Sequence, residues 1–224
     1  MSTKFKRVLF DYDGTILIHK SEEQGKLIAS DLGLNEEQSE VFAHELDYFF
    51  HNQKFFYVGK KVTYGLYLMA MVHYVPCILE YGLDPEQVDV AICENNKIHS
   101  KLADGVKETL EYLMDKGYKL CLVTNGFMKQ QVDNMKHNGI FDYFENIYTW
   151  DDTYAKPDKR FIERVLAGTK PEENVFVGND LISDIDMANK AGVFSVGFNL
   201  TRVEGIDVKP DVEIPTFNTL MKIL

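Results

Sequence analysis

The second half of the chain alternates short apolar runs with helical patterns, and this alternation constrains the fold more than any other feature. The apolar runs typical of strands lie at residues 119–123, 147–149, 175–177 and 194–196. The spacing typical of helices lies at residues 106–116, 128–137, 159–167 and 184–190. Parallel strands need long crossover connections, which are usually helices, so the pattern predicts an α/β protein with a parallel sheet covered on both faces.

The part of the chain before this alternation has a different pattern. Residues 5–10 are apolar enough for a first strand, and a polar segment that contains a glycine ends it. Residues 21–100 carry helical spacing without a convincing strand, with helix starts predicted at Asn35 and at Asp84, which precedes a proline. We therefore expect a helical insertion after the first strand, packed as a separate lobe.

The net charge and the cysteine content limit the kinds of partner and of site that this protein can have. The formal net charge of -11 opposes nonspecific binding to nucleic acid or to anionic lipid, because both require clustered lysine and arginine. The three cysteines contain no CxxC pair and predict neither a disulfide framework nor a zinc site, and no segment is apolar enough for a signal peptide or a membrane span. We expect a cytoplasmic protein whose partner is a small molecule, not a nucleic acid polymer or a membrane, and the oligomeric state stays open.

Four polar segments follow apolar runs at the places where strands are predicted to end. They are residues 11–15 (DYDGT), 124–126 (TNG), 156–157 (KP) and 178–184 (GNDLISD). Ligands of parallel α/β sheets bind beyond the carboxyl ends of the strands. We therefore expect the four segments to converge on one crevice.

The first of these segments carries two carboxylates, Asp11 and Asp13, separated by one residue. They would repel each other and any phosphate unless a hard cation lay between them, and Mg²⁺ prefers oxygen ligands of this kind. The pair therefore predicts a magnesium site. The alternative is that both aspartates only cap a turn, as Asp often does.

The four segments, in this order, resemble the motifs of the haloacid dehalogenase-like hydrolase superfamily, over the whole chain except the helical insertion. The resemblance implies a Rossmann-like core at residues 1–16 and 101–224 and an inserted helical cap domain at residues 17–100, like that of the superfamily's first subclass. Residues 124–144 look most like the nucleotidase branch, which acts on nucleoside monophosphates. The resemblance thus implies a Mg²⁺-dependent phosphatase for a small phosphate ester, with a nucleoside 5′-monophosphate as the candidate substrate.

The resemblance also implies roles for single residues. Asp11 would attack phosphorus and form an aspartyl-phosphate, and Asp13 would protonate the leaving oxygen and then activate the hydrolytic water. Lys156 would pair with the phosphate and with Asp11. By itself, a lysine before a proline is usually a solvated loop residue.

The second segment looks like the family's phosphate-binding motif. Thr124 would offer its hydroxyl, and the amides of Asn125 and Gly126 would face the anion at the start of a helix. An ordinary helix N-cap formed by Thr124 or Asn125 is common and is physically compatible with this role.

The fourth segment departs from the commonest family pattern, in which an aspartate directly follows the glycine. Asn179 stands there instead, Asp180 follows it, and Asp184 lies four residues beyond Asp180. We expect Asp180 to complete the metal site with Asp11 and Asp13, with the amide oxygen of Asn179 as the alternative ligand. Asp184 is expected to orient the site without binding the metal.

Other functions stay open at this stage. A sugar-phosphate or broad-specificity phosphatase fits the same core, a 2-haloacid dehalogenase would need neither the metal nor Asp13, and a catalytically silent phosphometabolite-binding regulator is favoured slightly by Asn179. The aromatic side chains of residues 48–67 would either stack on a nucleobase or pack the core of the lobe, and packing is the more ordinary interpretation.

Overall fold

A six-stranded parallel sheet forms the centre of the fold. The computed structural model describes residues 5–18 and 21–224. Its strands are β1 (Arg7–Phe10), β2 (Leu17–Ile18), β3 (Lys101–Leu102), β4 (Lys119–Val123), β5 (Asn146–Tyr148), β6 (Asn174–Asp180), β7 (Phe194–Thr201) and β8 (Val212–Ile214). The sheet has the order β5-β4-β1-β6-β7-β8, which confirms the predicted parallel α/β fold.

Helices cover both faces of this sheet. The helices are α1 (Ser21–Asp31), α2 (Glu36–Phe56), α3 (Tyr64–Tyr74), α4 (Cys77–Glu80), α5 (Pro85–His99), α6 (Val106–Asp115), α7 (Met128–His137), α8 (Lys159–Leu166), α9 (Met187–Lys190) and α10 (Leu220–Ile223). In β1, Val8 and Phe10 pack with α6, α7 and α10 on one face, whereas Leu9 packs with α8 and α9 on the other. This alternation follows from the two-residue period of a strand, and burial of both faces explains why the strands are continuously apolar.

The helices α1 to α5 pack around a hydrophobic cluster of their own, centred on side chains such as Phe42, Phe49 and Met71. The connections to and from this lobe pair with each other as the antiparallel strands β2 and β3. Trp150, which follows β5, reaches into the cluster and joins the lobe to the sheet. Among the described helices, none has the length and apolar character that crossing a bilayer requires.

The segment after β6 differs from the prediction. A helix was expected from residue 184, but the chain first makes a π-helical turn at Leu181–Asp186 and only then enters α9. The reason is local, because the Asp180 carboxylate accepts the amide hydrogens of Ile182 and Ser183, both at 2.8 Å, and begins the turn earlier.

Candidate active site

A cavity of about 320 Å³ lies between the carboxyl edge of the sheet and the helical lobe. Every residue singled out from the sequence lines it: Asp11, Asp13, Thr124, Asn125, Gly126, Lys156, Asn179, Asp180 and Asp184. Residues of the lobe, among them Lys54 and Asp89, form the opposite wall. The four polar segments therefore meet in one place.

Asp11 follows β1 directly, and its backbone amide still continues the sheet by donating to the carbonyl of Val177 at 2.9 Å. Its carboxylate is buried, with Oδ2 accepting from the Thr15 hydroxyl at 3.0 Å and Oδ1 accepting from Lys156 Nζ at 2.6 Å. Burial raises the pKa of the Asp11 carboxyl, although the Lys156 charge opposes that shift. A carboxylate in this position depends on nearby positive charge to stay ionised.

The turn after Asp11 requires a glycine. Gly14 has a φ of 85°, and a Cβ at this position would overlap the side-chain amide of Asn179. Glycine therefore permits both the left-handed backbone and the close approach of Asn179 to the turn.

Lys156 joins two carboxylates across the floor of the cavity. Its Nζ donates to Asp11 at 2.6 Å and to Asp184 at 2.7 Å, and its side chain is 3% exposed. Burial alone would lower the pKa of this ammonium, but the charges of the two aspartates more than offset it and raise the pKa. Lys156 is therefore a fixed positive charge beside Asp11.

Asn125 positions Lys156 through the backbone. The Asn125 side chain accepts from the amide of Lys156 at 2.8 Å and donates to its carbonyl at 3.0 Å. Neither Thr124 nor Asn125 is the N-cap of α7, because this helix begins at Met128 with Phe127 at its N-cap and without a side-chain cap. Thr124, Asn125 and Gly126 are instead the cavity-lining loop that leads from β4 to this helix.

The carboxylates of the fourth segment point in different directions. Asp184 Oδ2 accepts the backbone amides of Asn179 and Asp180 at 3.1 and 3.0 Å, so it braces the end of β6. Asp180 pairs through Oδ2 with Lys54 of α2, which belongs to the lobe. Asn179 Oδ1 lies 3.4 Å from the Thr15 hydroxyl, which in turn contacts the Asp11 carboxylate. The expectation that Asp180 holds the metal stays a prediction, and these contacts favour Asn179.

The chemistry of these donors fits Mg²⁺. The Asp11 carboxylate, the Thr15 hydroxyl and the Asn179 amide present oxygen atoms in one continuous chain of contacts. Within residues 5–18 and 21–224, no three acidic, histidine or cysteine side chains form a metal-binding group. Mg²⁺ prefers oxygen ligands and usually keeps several waters beside one or two carboxylates, so these oxygen atoms fit it.

Several cavity residues were missed by the sequence analysis. Gln131 donates to Asp13 Oδ2 at 3.3 Å, Gln130 donates to Asp89 Oδ2 at 3.1 Å, and Lys54 pairs with Asp180. The sequence spacing gives no signal for these side chains, because each contact depends on how a distant helix packs over the cavity.

The aromatic residues of the lobe serve mainly to pack it. Phe49, Tyr57 and Tyr67 are buried in the cluster that contains Trp150. Of the described phenylalanine and tyrosine residues between 48 and 67, only Phe50 and Tyr67 line the cavity, and Phe50 is 42% exposed. Phe50 is thus the ring of this stretch that is free to meet a ligand.

Comparisons with known proteins agree with this architecture. The glyceraldehyde 3-phosphate phosphatase of Methanopyrus kandleri is 31% identical over 153 residues, which are 65% of this chain and 66% of that protein. The pyrimidine 5′-nucleotidase PynA of Streptococcus pneumoniae is 26% identical over 125 residues, 54% of this chain and 53% of that protein. The chain therefore spans about half to two thirds of the length of these two relatives.

A solved structure shows the same fold. The HAD-hydrolase YfnB of Bacillus subtilis, described as bound to magnesium, has a TM-score of 0.76 and 21% identity, with 99% of each chain covered. Residues 65–198, more than half of the 224, match the sequence profile described as haloacid dehalogenase-like hydrolase. With the parallel sheet and the cavity at its carboxyl edge, this match shows that the chain belongs to the haloacid dehalogenase-like hydrolase family.

Proposed function

We propose that the protein is a Mg²⁺-dependent phosphatase that hydrolyses a small phosphorylated metabolite through an aspartyl-phosphate on Asp11. The observation that carries this proposal is the setting of Asp11, a buried carboxylate at a strand end with Lys156 Nζ at 2.6 Å and Asp13 two residues beyond. The names of the two relatives, a phosphatase and a nucleotidase, support the same reaction class.

The proposed reaction has two steps, formation of the aspartyl-phosphate and its hydrolysis. A carboxylate oxygen of Asp11 attacks phosphorus, the bond to the leaving oxygen breaks with its electron pair on that oxygen, and Asp13 supplies the proton. In the second half Asp13 takes a proton from water, whose oxygen attacks phosphorus, so that phosphate leaves and the Asp11 carboxylate returns. Gln131 holds Asp13 for both transfers, because its amide donates to the carboxylate.

The phosphoryl oxygens need positive charge and donors around them. Lys156 provides a fixed ammonium, and Thr124 with the amides of Asn125 and Gly126 lines the same part of the cavity. Asp184 holds Lys156 through a 2.7 Å contact and so keeps the ammonium beside Asp11.

Mg²⁺ would be held by Asp11, Asp13 and the amide oxygen of Asn179, with Asp180 as the alternative to Asn179. When bound, the ion supplies positive charge that lets a phosphate dianion approach the carboxylates. The chain's own residues set the position of the site, since Gly14 admits Asn179 to the turn and Thr15 links its amide to Asp11.

The helical lobe is proposed to act as the cap that excludes water and recognises the rest of the substrate. The candidate substrate is a nucleoside 5′-monophosphate, and the exposed ring of Phe50 on the cavity wall supports it. A sugar-phosphate or broad-specificity phosphatase is the second candidate, because most aromatic residues of the lobe are used in packing.

The decisive experiment measures hydrolysis of p-nitrophenyl phosphate with Mg²⁺ and after EDTA, and the site of labelling in acid-quenched protein by mass spectrometry. The proposal requires metal-dependent hydrolysis and a phosphoryl group on Asp11. Asp47→Asn is the matched control, because Asp47 lines the cavity without contacting Asp11. Halide release from a 2-haloacid without metal would instead identify a dehalogenase, and absence of any turnover would identify a binding protein.

A further inference from the structure

The lobe presents a buried carboxylate, that of Asp89, to the cavity. Asp89 of α5 is 4% exposed and accepts hydrogen bonds from the hydroxyls of Tyr64 and Tyr67, both at 3.0 Å, and from Gln130 Nε2 at 3.1 Å. Across the part of the chain that the structure describes, no lysine, arginine or histidine forms an ion pair with it. Burial raises the pKa of this carboxyl, and the hydrogen bonds from Tyr64, Tyr67, Gln130 and Cys93 offset only part of that shift. Asp89 is the acceptor in all four contacts, which is the hydrogen-bonding pattern of a carboxylate.

In the proposed reaction, Asp89 would lie on the side of the cavity that receives the leaving group. Two consecutive residues of α7 connect it to the proposed acid, because Gln130 donates to Asp89 while Gln131 donates to Asp13 at 3.3 Å. In the proposed reaction Asp13 protonates the leaving oxygen, so the group attached to that oxygen extends from Asp13 along this wall.

The cavity lining also contains buried polar atoms that have no hydrogen-bond partner among the described residues. Gln131 Oε1, Asn134 Oδ1 and Trp150 Nε1 are buried, belong to cavity-lining residues and have no hydrogen-bond partner among the described residues. The Gln131 orientation is fixed by its Nε2, which faces Asp13. Two acceptors and one donor left unpaired in a buried wall favour a ligand with hydroxyl or amino groups.

The balance of charges in the cavity also limits which substrates it can accept. Among its described lining residues, six are aspartates and two are lysines. Lys156 bridges two of the aspartates and Lys54 pairs with Asp180, whereas His51 faces Asp47. Among the described lining residues, no lysine, arginine or histidine is left unpaired to receive a second anionic group of a substrate.

We propose that Asp89 determines substrate specificity by rejecting leaving groups that carry a second negative charge and favouring neutral or cationic ones with hydroxyl or amino donors. This inference rests on the proposed phosphatase function and names its substrate class. It includes nucleosides and polyols as leaving groups, and it excludes a second phosphate or a carboxylate close to the ester oxygen.

A matched substrate series tests the proposal. Hydroxyethyl phosphate, phosphoethanolamine and phosphoglycolate share a two-carbon skeleton and differ in the charge of the leaving group. For the wild-type protein with Mg²⁺ we expect phosphoethanolamine, whose ammonium is attracted to Asp89, to have the highest kcat/KM of the three. We expect kcat/KM for hydroxyethyl phosphate to exceed that for phosphoglycolate by about 15- to 50-fold. This corresponds to two like charges about 7 to 10 Å apart at an effective dielectric constant of about 20.

Asp89→Asn should remove most of this discrimination, because the amide keeps the shape without the charge. Asp31→Asn is the control for net charge, since Asp31 is an exposed residue of the lobe outside the cavity, and it should leave the ratio unchanged. A wild-type ratio near one, or an unchanged ratio in folded Asp89→Asn, would overturn the role of Asp89.

Circular dichroism establishes whether Asp89→Asn folds. If it does not fold, the wild-type series decides alone, and a ratio near one still overturns the proposal. Hydrolysis of p-nitrophenyl phosphate distinguishes failure of the role proposed for Asp89 from failure of the proposed phosphatase function. A protein that cleaves it but does not discriminate against phosphoglycolate refutes only the role of Asp89, whereas a protein that cleaves no ester refutes the phosphatase function as well.

Discussion

Replacing Lys156 with methionine should destabilise the protein strongly, because the charge of Lys156 compensates two buried aspartates. The side chains of Lys156, Asp11 and Asp184 are 3%, 8% and 1% exposed, and the two contacts are 2.6 and 2.7 Å long. Methionine retains most of the length and apolar volume of lysine, so the substitution removes the charge without leaving a large cavity. It leaves two carboxylates facing each other away from water.

Removing one partner of a buried ion pair typically costs about 3–5 kcal/mol, because the remaining charge is left uncompensated. We therefore expect the free energy of unfolding of Lys156→Met to fall by about 3–5 kcal/mol at pH 7 without metal, out of the about 5–15 kcal/mol usual for a protein. Urea titration followed by circular dichroism and by the fluorescence of Trp150, the single tryptophan, measures it.

The sign of the pH dependence is a second readout. The Lys156 charge lowers the pKa of Asp11, so its loss raises that folded-state pKa further above the unfolded value. A raised carboxyl pKa destabilises the folded state at pH values where the carboxyl would otherwise ionise. The deficit of Lys156→Met should therefore shrink as the pH falls from alkaline values to about 7, the folded-state pKa of Asp11 in the wild type, and level off below it.

Lys159→Met is the matched control, since Lys159 is exposed and pairs only with Glu163 on the surface of α8. If Lys156→Met cost no more than Lys159→Met, or if its deficit did not depend on pH, the buried charge bridge would not stabilise the fold as argued.

Three further predictions concern activity. Asp11→Asn should abolish turnover with an unchanged circular dichroism spectrum, because the amide is a poor nucleophile of the same shape, and more than trace activity would end the covalent proposal. EDTA should abolish activity, and Asn179→Ala should raise the Mg²⁺ concentration for half-maximal activity more than Asp180→Ala does; the reverse order would assign the ligand to Asp180. A phosphatase panel should show nucleoside 5′-monophosphates preferred over hexose phosphates by about five- to a hundredfold, from stacking worth about 1–3 kcal/mol per base. Phe50→Leu should reduce that preference, and equal kcat/KM values would refute the nucleotidase assignment.

The bounds of helices and strands could be predicted from the sequence where a local pattern determines them. The bounds of β4 and α7 were predicted to the residue, and Asn35 and Asp84 are the N-caps of α2 and α5. In each case the signal lies within a few residues, in apolar spacing or in a capping side chain.

Other bounds could not be predicted because no local signal marks them. The end of helix α2 at Phe56 has no such signal, because residues 50–58 contain no glycine or proline that would mark it. Strand β8 was missed because Val212–Ile214 is only three residues long, and it is recognisable only by pairing with β7.

The candidate site was likewise predictable in part. The order of the four segments was enough to predict which residues reach the cavity, because strand ends meet at one edge of a sheet. It was not enough to predict the direction of Asn179 and Asp180, since neighbouring residues of a strand point to opposite sides. Lys54 contacts Asp180 across 126 residues of sequence, and no spacing rule covers that distance.

The pairing of β2 with β3 has a consequence for evolution and for engineering. Leu17 faces Leu102 and Ile18 faces Lys101 in an antiparallel ladder. A tight hairpin turn would therefore connect β2 directly to β3 if the whole lobe were removed. The entropy of closing a loop rises only slowly with its length, so a lobe of another size would fit between the same two strands. If the lobe recognises the substrate as proposed, recombination between β2 and β3 would exchange one substrate range for another and leave the proposed catalytic residues of the core in place.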